Sequence, residues 1–420
     1  MPVFSDAAHR AIDAVWRIES ARLIGGLVRL VRDVGLAEDL AHDALVTAME
    51  RWPATGIPDN PGAWLMTTAK HRAIDLLRRE QRVERVMESP ETGPLARLSV
   101  APDFETAADI PVRDDLLRLV FIACHPVLSP DARVALTLRL IGGLTTEEIS
   151  RAFLTPAPTL AQRIVRAKRT LSEARVPFEV PQGAELSARL PSVLEVIYLI
   201  FNEGYAATEG NDWIRPELCE DAMRLGRILA GLVPREAEVH GLVALMELHA
   251  SRSRARVGPA GEPVLLLEQD RSRWDRLLLG RGLAALARAE ALASPLGPYA
   301  LQAAIAGCHA RARTAAETDW NRIVALYDAL VELTGSSVVE LNRAVAVSMA
   351  FGPEAGLVLV EELTRDPALR GYHLLPAVHG DLLMKLGRTD EARTLFEQAA
   401  FLVKNSRERA LLLARARAAS

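Results

Sequence analysis

Apolar residues recur at three- and four-residue spacing through most of this chain. The pattern is clearest in the segments ARLIGGLVRLVRDV, AEDLAHDALVTAMERW and WLMTTAKHRAIDLLRRE. An α-helix turns once every ~3.6 residues, so this spacing places the apolar side chains on one helix face. The alternating, β-branched runs that are typical of strands are almost absent. The sequence therefore predicts an all-α fold.

Three breaks interrupt the helical pattern. Residues 87–115 are rich in acids and prolines and predict a flexible acidic linker. Residues 175–187 form a proline-marked joint, and residues 251–263 form a polar loop. A chain of 420 residues exceeds what one hydrophobic core normally supports. We expect helical domains at 1–86, 115–175, 186–295 and 296–420, with the linker at 87–114.

The last third of the chain shows a weak repeat. Predicted helix starts near Thr318, Pro353 and Thr389 lie about 35 residues apart. The last unit, GDLLMKLGRTDEARTLFEQAAFL, resembles a tetratricopeptide unit. The small residues Gly387, Ala392 and Ala399 would let its two helices approach each other. The large residues Leu386 and Phe396 would fill the space between them. An unrelated helical hairpin stays open as an alternative.

Charge and cysteine content limit the possible functions. The net charge of −4 means that nucleic acid could bind only at local basic patches. The three cysteines, Cys124, Cys219 and Cys308, are widely spaced and odd in number, which favours buried thiols in a reducing compartment. Neither a signal peptide nor a membrane-spanning segment is predicted. We therefore expect a soluble cytoplasmic protein.

Residues 144–171, LTTEEISRAFLTPAPTLAQRIVRAKRTL, predict a helix-turn-helix with a basic second helix beginning at Pro158 or Thr159. Leu160, Ile164, Ala167 and Leu171 would face inward. The residues left to contact base edges and phosphates are Thr159, Gln162, Arg163, Arg166, Lys168 and Arg169. A solvated basic face on an ordinary surface helix is the alternative interpretation.

A second basic segment occupies residues 59–85. Asn60 and Pro61 open a helix with a tryptophan near its start and cations along one side. Such a helix can hold phosphates and stack against unpaired bases. The candidate nucleic-acid contacts are Asn60, Trp64, Lys70, His71, Arg72, Arg78 and Arg79. Two basic helices joined by an acidic linker suggest bipartite DNA recognition.

The chain resembles bacterial sigma factors of the extracytoplasmic-function group. The resemblance rests on AEDLAHDALVTAMERW, NPGAWLMTTAKHRAIDLLRRE and LSPDARVALTLRLIGGLTTEEISRAFLTPAPTLAQRIVRAKRTL, in the order and spacing of that family. It implies that residues 1–86 form sigma region 2 and residues 115–175 form sigma region 4. The implied partners are promoter DNA and core RNA polymerase, through its β′ coiled coil and β flap.

The resemblance also implies roles for individual residues. Residues Glu38, Asp39, Leu40 and Asp43 correspond to the surface that docks on polymerase. The segment from Trp64 to Arg79 corresponds to the reader and melter of the downstream promoter element, and the loop Pro53–Pro61 would hold an extruded base. The basic helix at 158–171 corresponds to the reader of the upstream element.

Some positions depart from the family pattern. Leu154 and Pro158 stand where relatives usually have glycine in and after the helix-turn-helix turn. His42, Ala44 and Leu45 replace common residues of the docking helix.

The C-terminal half resembles the long helical extension of one sigma-factor subgroup. We expect it to regulate the sigma module or to bind a regulatory protein at its repeats. The pairs Glu238/His240 and Glu247/His249 could ligate a metal, but residues two apart do not share a helix face. We therefore predict no metal, no cofactor and no catalytic site. The alternatives are a stand-alone helix-turn-helix regulator and an enzyme with a pocket around Glu203 and His240.

Overall fold

The computed structural model describes residues 3–87, 112–153, 155–207, 213–259 and 261–419. In these ranges the chain forms helices, turns and one isolated β-bridge between Val257 and Pro263, and it contains no strand. The predicted all-α fold is confirmed. No helix in the described part of the chain is long and apolar enough to cross a bilayer. Residues 88–111 of the predicted acidic linker lie outside the described residues.

The chain divides into two compact units, Met1–Val196 and Ile197–Ser420. In the first unit α1, α2 and α3 pack against one another, α1 also contacts α4, and α2 contacts α7. Its helices are α1 (Val3–Val31), α2 (Val34–Thr55), α3 (Pro61–Met87), α4 (Val112–Ala123), α5 (Pro130–Leu140), α6 (Thr146–Ala152), α7 (Ala157–Glu173) and the first part of α8 (Ala184–Tyr205).

Helix α2 is longer than expected at its C-terminal end. Pro53 lies in its last turn, so the prediction of a loop that begins at Pro53 is wrong. The fixed φ of proline fits helix geometry, and near the end of a helix its missing N–H removes only one hydrogen bond. The helix ends at Thr55 because Gly56 adopts a φ of 84°, in the region that favours glycine.

The second unit is a succession of helical hairpins. Neighbouring helices pack in pairs along the chain from α10 to α18. The helices are α9 (Pro216–Leu232), α10 (Ala237–Ala250), α11 (Arg276–Leu292), α12 (Pro298–Arg311), α13 (Trp320–Thr334), α14 (Ser337–Phe351), α15 (Pro353–Leu363), α16 (Leu374–Lys385), α17 (Thr389–Leu402) and α18 (Ser406–Ala418). The predicted starts at Pro353 and Thr389 are confirmed, and the helix expected near Thr318 begins at Trp320.

The last repeat shows how the helices approach. Ala392, Phe396 and Ala399 are buried, as predicted. Gly387 lies in the α16–α17 turn with a φ of 74°, and a Cβ there would meet open space. The close approach instead occurs at Gly380, where a Cβ would lie 3.1 Å from the Phe396 ring. The prediction that Gly387 lets the helices approach is therefore wrong, since its role is the turn.

Candidate nucleic-acid interface

A capping box begins the predicted helix-turn-helix. The backbone N–H of Glu148 donates to Thr145 Oγ1 at 3.1 Å, and the N–H of Thr145 donates to Glu148 Oε2 at 2.8 Å. These bonds satisfy amides that have no partner within helix α6. Helix α7 then begins at Ala157, slightly earlier than predicted, with Pro158 in its first turn. Proline suits this position because the first amides of a helix need no intrahelical acceptor.

Helix α7 has one buried and one exposed face. Leu160, Ile164, Ala167 and Leu171 are buried, as predicted. On the outer face Thr159, Gln162, Arg163 and Arg166 line a groove of about 360 Å³, whose other wall includes Val127 and Ser129. Arg166 is exposed and forms no ion pair with any described residue. The groove thus presents an amide and two guanidinium groups, which are the side-chain types that read base edges.

Lys168 does not share that face. Residues two apart on a helix point about 200° apart, so Lys168 faces away from the groove and towards α2. There its ammonium forms an ion pair with the carboxylate of Glu38. Arg169 is exposed and pairs with Glu173 at 2.6 Å. Of the predicted upstream contacts, the structure therefore brings four together and places Lys168 and Arg169 elsewhere on the helix.

The predicted downstream segment lies on α3. Asn60 Oδ1 accepts from the N–H of Ala63 at 3.0 Å and so caps the helix. Trp64 is half-buried, with the edge of its ring packed against Trp52 at a centroid distance of 5.3 Å. His71, Arg78 and Arg79 are exposed, and Lys70 is half-buried.

Arg72 connects α3 to α2. Its guanidinium lies 3.1 Å from Asp43 Oδ2 and donates to Thr47 Oγ1 at 2.9 Å. A residue predicted to contact DNA is thus paired with one predicted to contact polymerase.

The four predicted docking residues on α2 divide between core and surface. Glu38 and Leu40 are buried, whereas Asp39 and Asp43 are exposed. Sequence reasoning missed Val46 and Met49, which are 51% and 40% exposed on the same outer side of α2. The signal that could have found them is their helical spacing from Asp39 and Asp43. The result is a mixed apolar and acidic surface, which suits protein contact.

Glu38 is the centre of a buried ionic network. Its side chain is 4% exposed, its Oε1 lies 2.6 Å from Arg139 Nε on α5, and its carboxylate also pairs with Lys168 on α7. Arg139 also contacts His42 Nε2 at 2.9 Å. Burial raises the pKa of Glu38, but Lys168 and Arg139 together lower the pKa by more. The carboxylate is therefore ionised at neutral pH and joins α2 to α5 and α7.

Comparison with known proteins shows to which family this chain belongs. The sigma-70 region 2 family matches residues 18–83, and the sigma-70 region 4 family matches residues 118–171. The ECF RNA polymerase sigma factor SigK of Mycobacterium ulcerans (strain Agy99) is 30% identical over 36% of this chain and 78% of its own length. The chain belongs to the extracytoplasmic-function group of the sigma-70 family.

Two further relatives extend the comparison. The probable ECF RNA polymerase sigma factor SigI of Mycobacterium tuberculosis (strain CDC 1551 / Oshkosh) is 30% identical over 41% of this chain, and the match spans only 58% of that protein. An uncharacterized protein of Rhizobium meliloti (strain 1021) is 43% identical over 93% of this chain and 91% of its own length. Similarity to the latter includes the C-terminal extension. A family of unknown function, DUF6596, matches residues 189–290.

Two departures from the family pattern bear on this sigma factor's helix-turn-helix. Pro158 is accommodated in the first turn of α7 without a break in the helix. Leu154 lies outside the described residues.

The polar residues considered for a metal or catalytic site in the extension have separate structural contacts. Glu238 accepts hydrogen bonds from the N–H groups of Tyr299 and Ala300 at the start of α12, at 2.8 and 3.1 Å. Glu247 pairs with Arg227 at 2.7 Å. His249 is half-buried, and its desolvation lowers its pKa well below the ordinary value. Within the described ranges, no histidine, cysteine and carboxylate side chains gather as metal ligands would.

The cysteines of this sigma factor are free and buried, as the sequence predicted. Burial raises the pKa of Cys124 to about 11. Its thiol is therefore protonated at neutral pH, and a buried thiol of this kind is unreactive.

Proposed function

We propose that this sigma factor binds core RNA polymerase, recognises promoters through two DNA-contacting helices and directs transcription initiation. The observation that supports this most strongly is the capped helix-turn-helix, whose second helix presents Gln162, Arg163 and Arg166 in one groove. Those side chains would enter the major groove of the upstream promoter element. The protein would act in the cytoplasm with promoter DNA and polymerase as its partners, and without catalytic chemistry of its own.

Polymerase would bind the outer side of α2. Asp39 and Asp43 supply charge there, and Val46 and Met49 supply exposed apolar area. We assign this surface to the β′ coiled coil and assign region 4 to the β flap. Glu38 and Leu40 are buried while regions 2 and 4 are packed together, so they would not contact polymerase directly in that arrangement. They would instead hold α2 in position beneath the docking surface.

Melting of the downstream element would depend on Trp64. A half-buried indole at the start of α3, braced by Trp52, can stack on a base that has left the duplex. Base–aromatic stacking contributes about 1–3 kcal/mol, so Trp64→Ala should lower transcription from a duplex promoter about tenfold or more. The measurement is in vitro transcription on a duplex template and on the same template with the start region already unpaired.

Transcription from the pre-melted template distinguishes a defect in promoter melting from a defect in duplex binding. Trp64→Ala should recover most of its activity on the unpaired template, because the energetic cost of opening is already met. The control is Trp320→Ala in the C-terminal unit, which should show no such template dependence. Equal defects of Trp64→Ala on both templates would count against a melting role.

We further propose that the C-terminal unit regulates the sigma module or binds a regulatory protein. Large apolar side chains on its repeats are exposed, among them Phe351 at 64%, Val358 at 59% and Phe401 at 86%. Exposed apolar area of this kind is typical of a surface for another protein.

Truncation tests the regulatory role. A stop after Tyr205 would keep α8, whose Arg189 donates to the carbonyl of Phe121 at 2.7 Å and whose Ser192 donates to that of Cys124 at 2.7 Å. We expect transcription by the truncated chain with core polymerase to differ severalfold from that of the full chain. The control is a stop after Leu402, which removes only the last helix. Unchanged output from the Tyr205 truncation would contradict this role.

A further inference from the structure

A cleft of about 610 Å³ lies between region 2 and region 4 within the first unit. One wall comes from the end of α1 and the start of α2, and the other comes from α4, the end of α7 and residues 175–179. Its volume is within the range of pockets that hold small organic ligands. No DNA-contacting or polymerase-docking role proposed above depends on this cleft. Lys168, a residue predicted to contact DNA, lines the cleft, but its ammonium pairs with Glu38.

The cleft carries an excess of positive charge. Arg29, Arg32, Lys168 and Arg175 line it, against Asp33 and Glu179. Asp33 Oδ1 already accepts from the N–H of Leu36 at 2.8 Å, as the cap of α2. Like charges in one concavity repel one another and attract anions.

Two of these four cations form no ion pair with any described residue. Arg32 and Arg175 are exposed and pair with no carboxylate in the described part of the chain. Arg29 Nε lies 3.6 Å from Asp115 Oδ2, but its Nη1 is buried and has no hydrogen-bond partner among the described residues. The two exposed guanidinium groups, those of Arg32 and Arg175, are therefore open to an anion in the cleft.

The backbone places two of the arginines in an unusual way. Arg32 and Arg175 have φ values of 54° and 49°, in the left-handed region that residues other than glycine rarely adopt. One follows α1 and the other follows α7, so the two turns bring a guanidinium group to the cleft from each region. Phe178 also lines the cleft and is half-buried, and the guanidinium carbon of Arg118 lies 5.9 Å from its ring centroid.

We propose that this cleft binds a small ligand bearing phosphate groups. Guanidinium groups match phosphate oxygens with paired, charge-assisted hydrogen bonds. Two phosphates could contact Arg32 from one region and Arg175 from the other, while the ring of Phe178 offers a face for a nucleobase. Because both regions would contact the ligand, binding favours the arrangement in which regions 2 and 4 are packed.

Calorimetric titration of the full-length protein with pyrophosphate and with GDP tests this, in the absence of polymerase and DNA. Both probes should bind, and Arg32→Ala and Arg175→Ala should each weaken binding about tenfold, the effect of losing one charged hydrogen bond. The matched control is Arg51→Ala, an exposed arginine on α2 outside the cleft, which should bind like the unmodified protein. If GDP binds more tightly than pyrophosphate and Phe178→Ala removes that difference, the ligand of the cleft is a nucleotide. If both probes bind equally, the cleft recognises phosphate groups alone.

Three results would overturn the proposal. The first is no binding of either probe, and the second is equal weakening by Arg51→Ala. The third is pyrophosphate binding that neither Arg32→Ala nor Arg175→Ala weakens, which would show that the two guanidinium groups do not hold phosphate in the cleft. None of these titrations depends on promoter activity, so their failure leaves the sigma-factor role untouched.

Discussion

Replacing Arg166 by alanine is expected to lower promoter-dependent transcription by about tenfold to a hundredfold. Arg166 is exposed in the α7 groove, has no ion-pair partner among the described residues and lies beside Gln162 and Arg163. A side chain that pairs with a base edge contributes about 1–3 kcal/mol of discrimination. The loss should be largest on the preferred promoter and small on promoters altered at the base that Arg166 contacts.

The control for this variant is Arg22→Ala. Arg22 lies on α1, has a 55% exposed side chain and pairs only loosely with Glu19 at 3.9 Å. Its removal changes net charge by the same amount, so it reports on non-specific attraction to DNA. Both variants should be compared on the preferred promoter and on a set of single-base changes. If Arg166→Ala and Arg22→Ala reduced transcription equally on every template, α7 would not be the sequence-reading helix.

Replacing Glu38 by glutamine is expected to lower the free energy of unfolding of the first unit by about 2–4 kcal/mol. The substitution keeps the shape of the side chain but leaves Arg139 and Lys168 without their buried countercharge. Urea unfolding measures the change, and hydrogen exchange in α2, α5 and α7 shows whether the loss is local to the contact between regions 2 and 4. Asp39→Asn is the matched control, because Asp39 is exposed and has no ion-pair partner among the described residues.

The effect of Glu38 should also depend on pH. Its pKa is lowered in the folded protein, because Lys168 and Arg139 together outweigh the rise caused by burial. The carboxylate therefore stabilises the fold fully above the unfolded pKa of about 4.3, and this contribution is lost as pH falls through the lower folded value. The difference in stability between the unmodified protein and Glu38→Gln should shrink below about pH 4. A difference that stays constant across this range would contradict the ionised network.

Local sequence patterns predict the helix-turn-helix well. The buried face of α7 follows from the spacing of Leu160, Ile164, Ala167 and Leu171, and the start of α6 follows from Thr145 and Glu148. Both depend on residues within a few positions of each other. The same holds for the helix starts at Pro353 and Thr389.

The tertiary contacts could not be predicted in this way. Arg139 lies 101 positions from Glu38, and a pattern of three- and four-residue spacing carries no information about such a pair. The same limit applies to Lys168, whose position in a basic run suggested phosphate contact. It also applies to Gly380, since only the packed position of Phe396 shows that a Cβ there would be crowded.

Run-off transcription with purified core polymerase tests the central claim most directly. The templates are a library of genomic promoter fragments, and each reaction is run with polymerase alone, with this chain alone and with both. We predict specific transcripts only when both proteins are present, and stable promoter binding by the chain only in the presence of polymerase. Tight binding of duplex promoter DNA by the chain alone, with no transcript from any fragment when polymerase is added, would contradict a sigma factor and favour a stand-alone regulator.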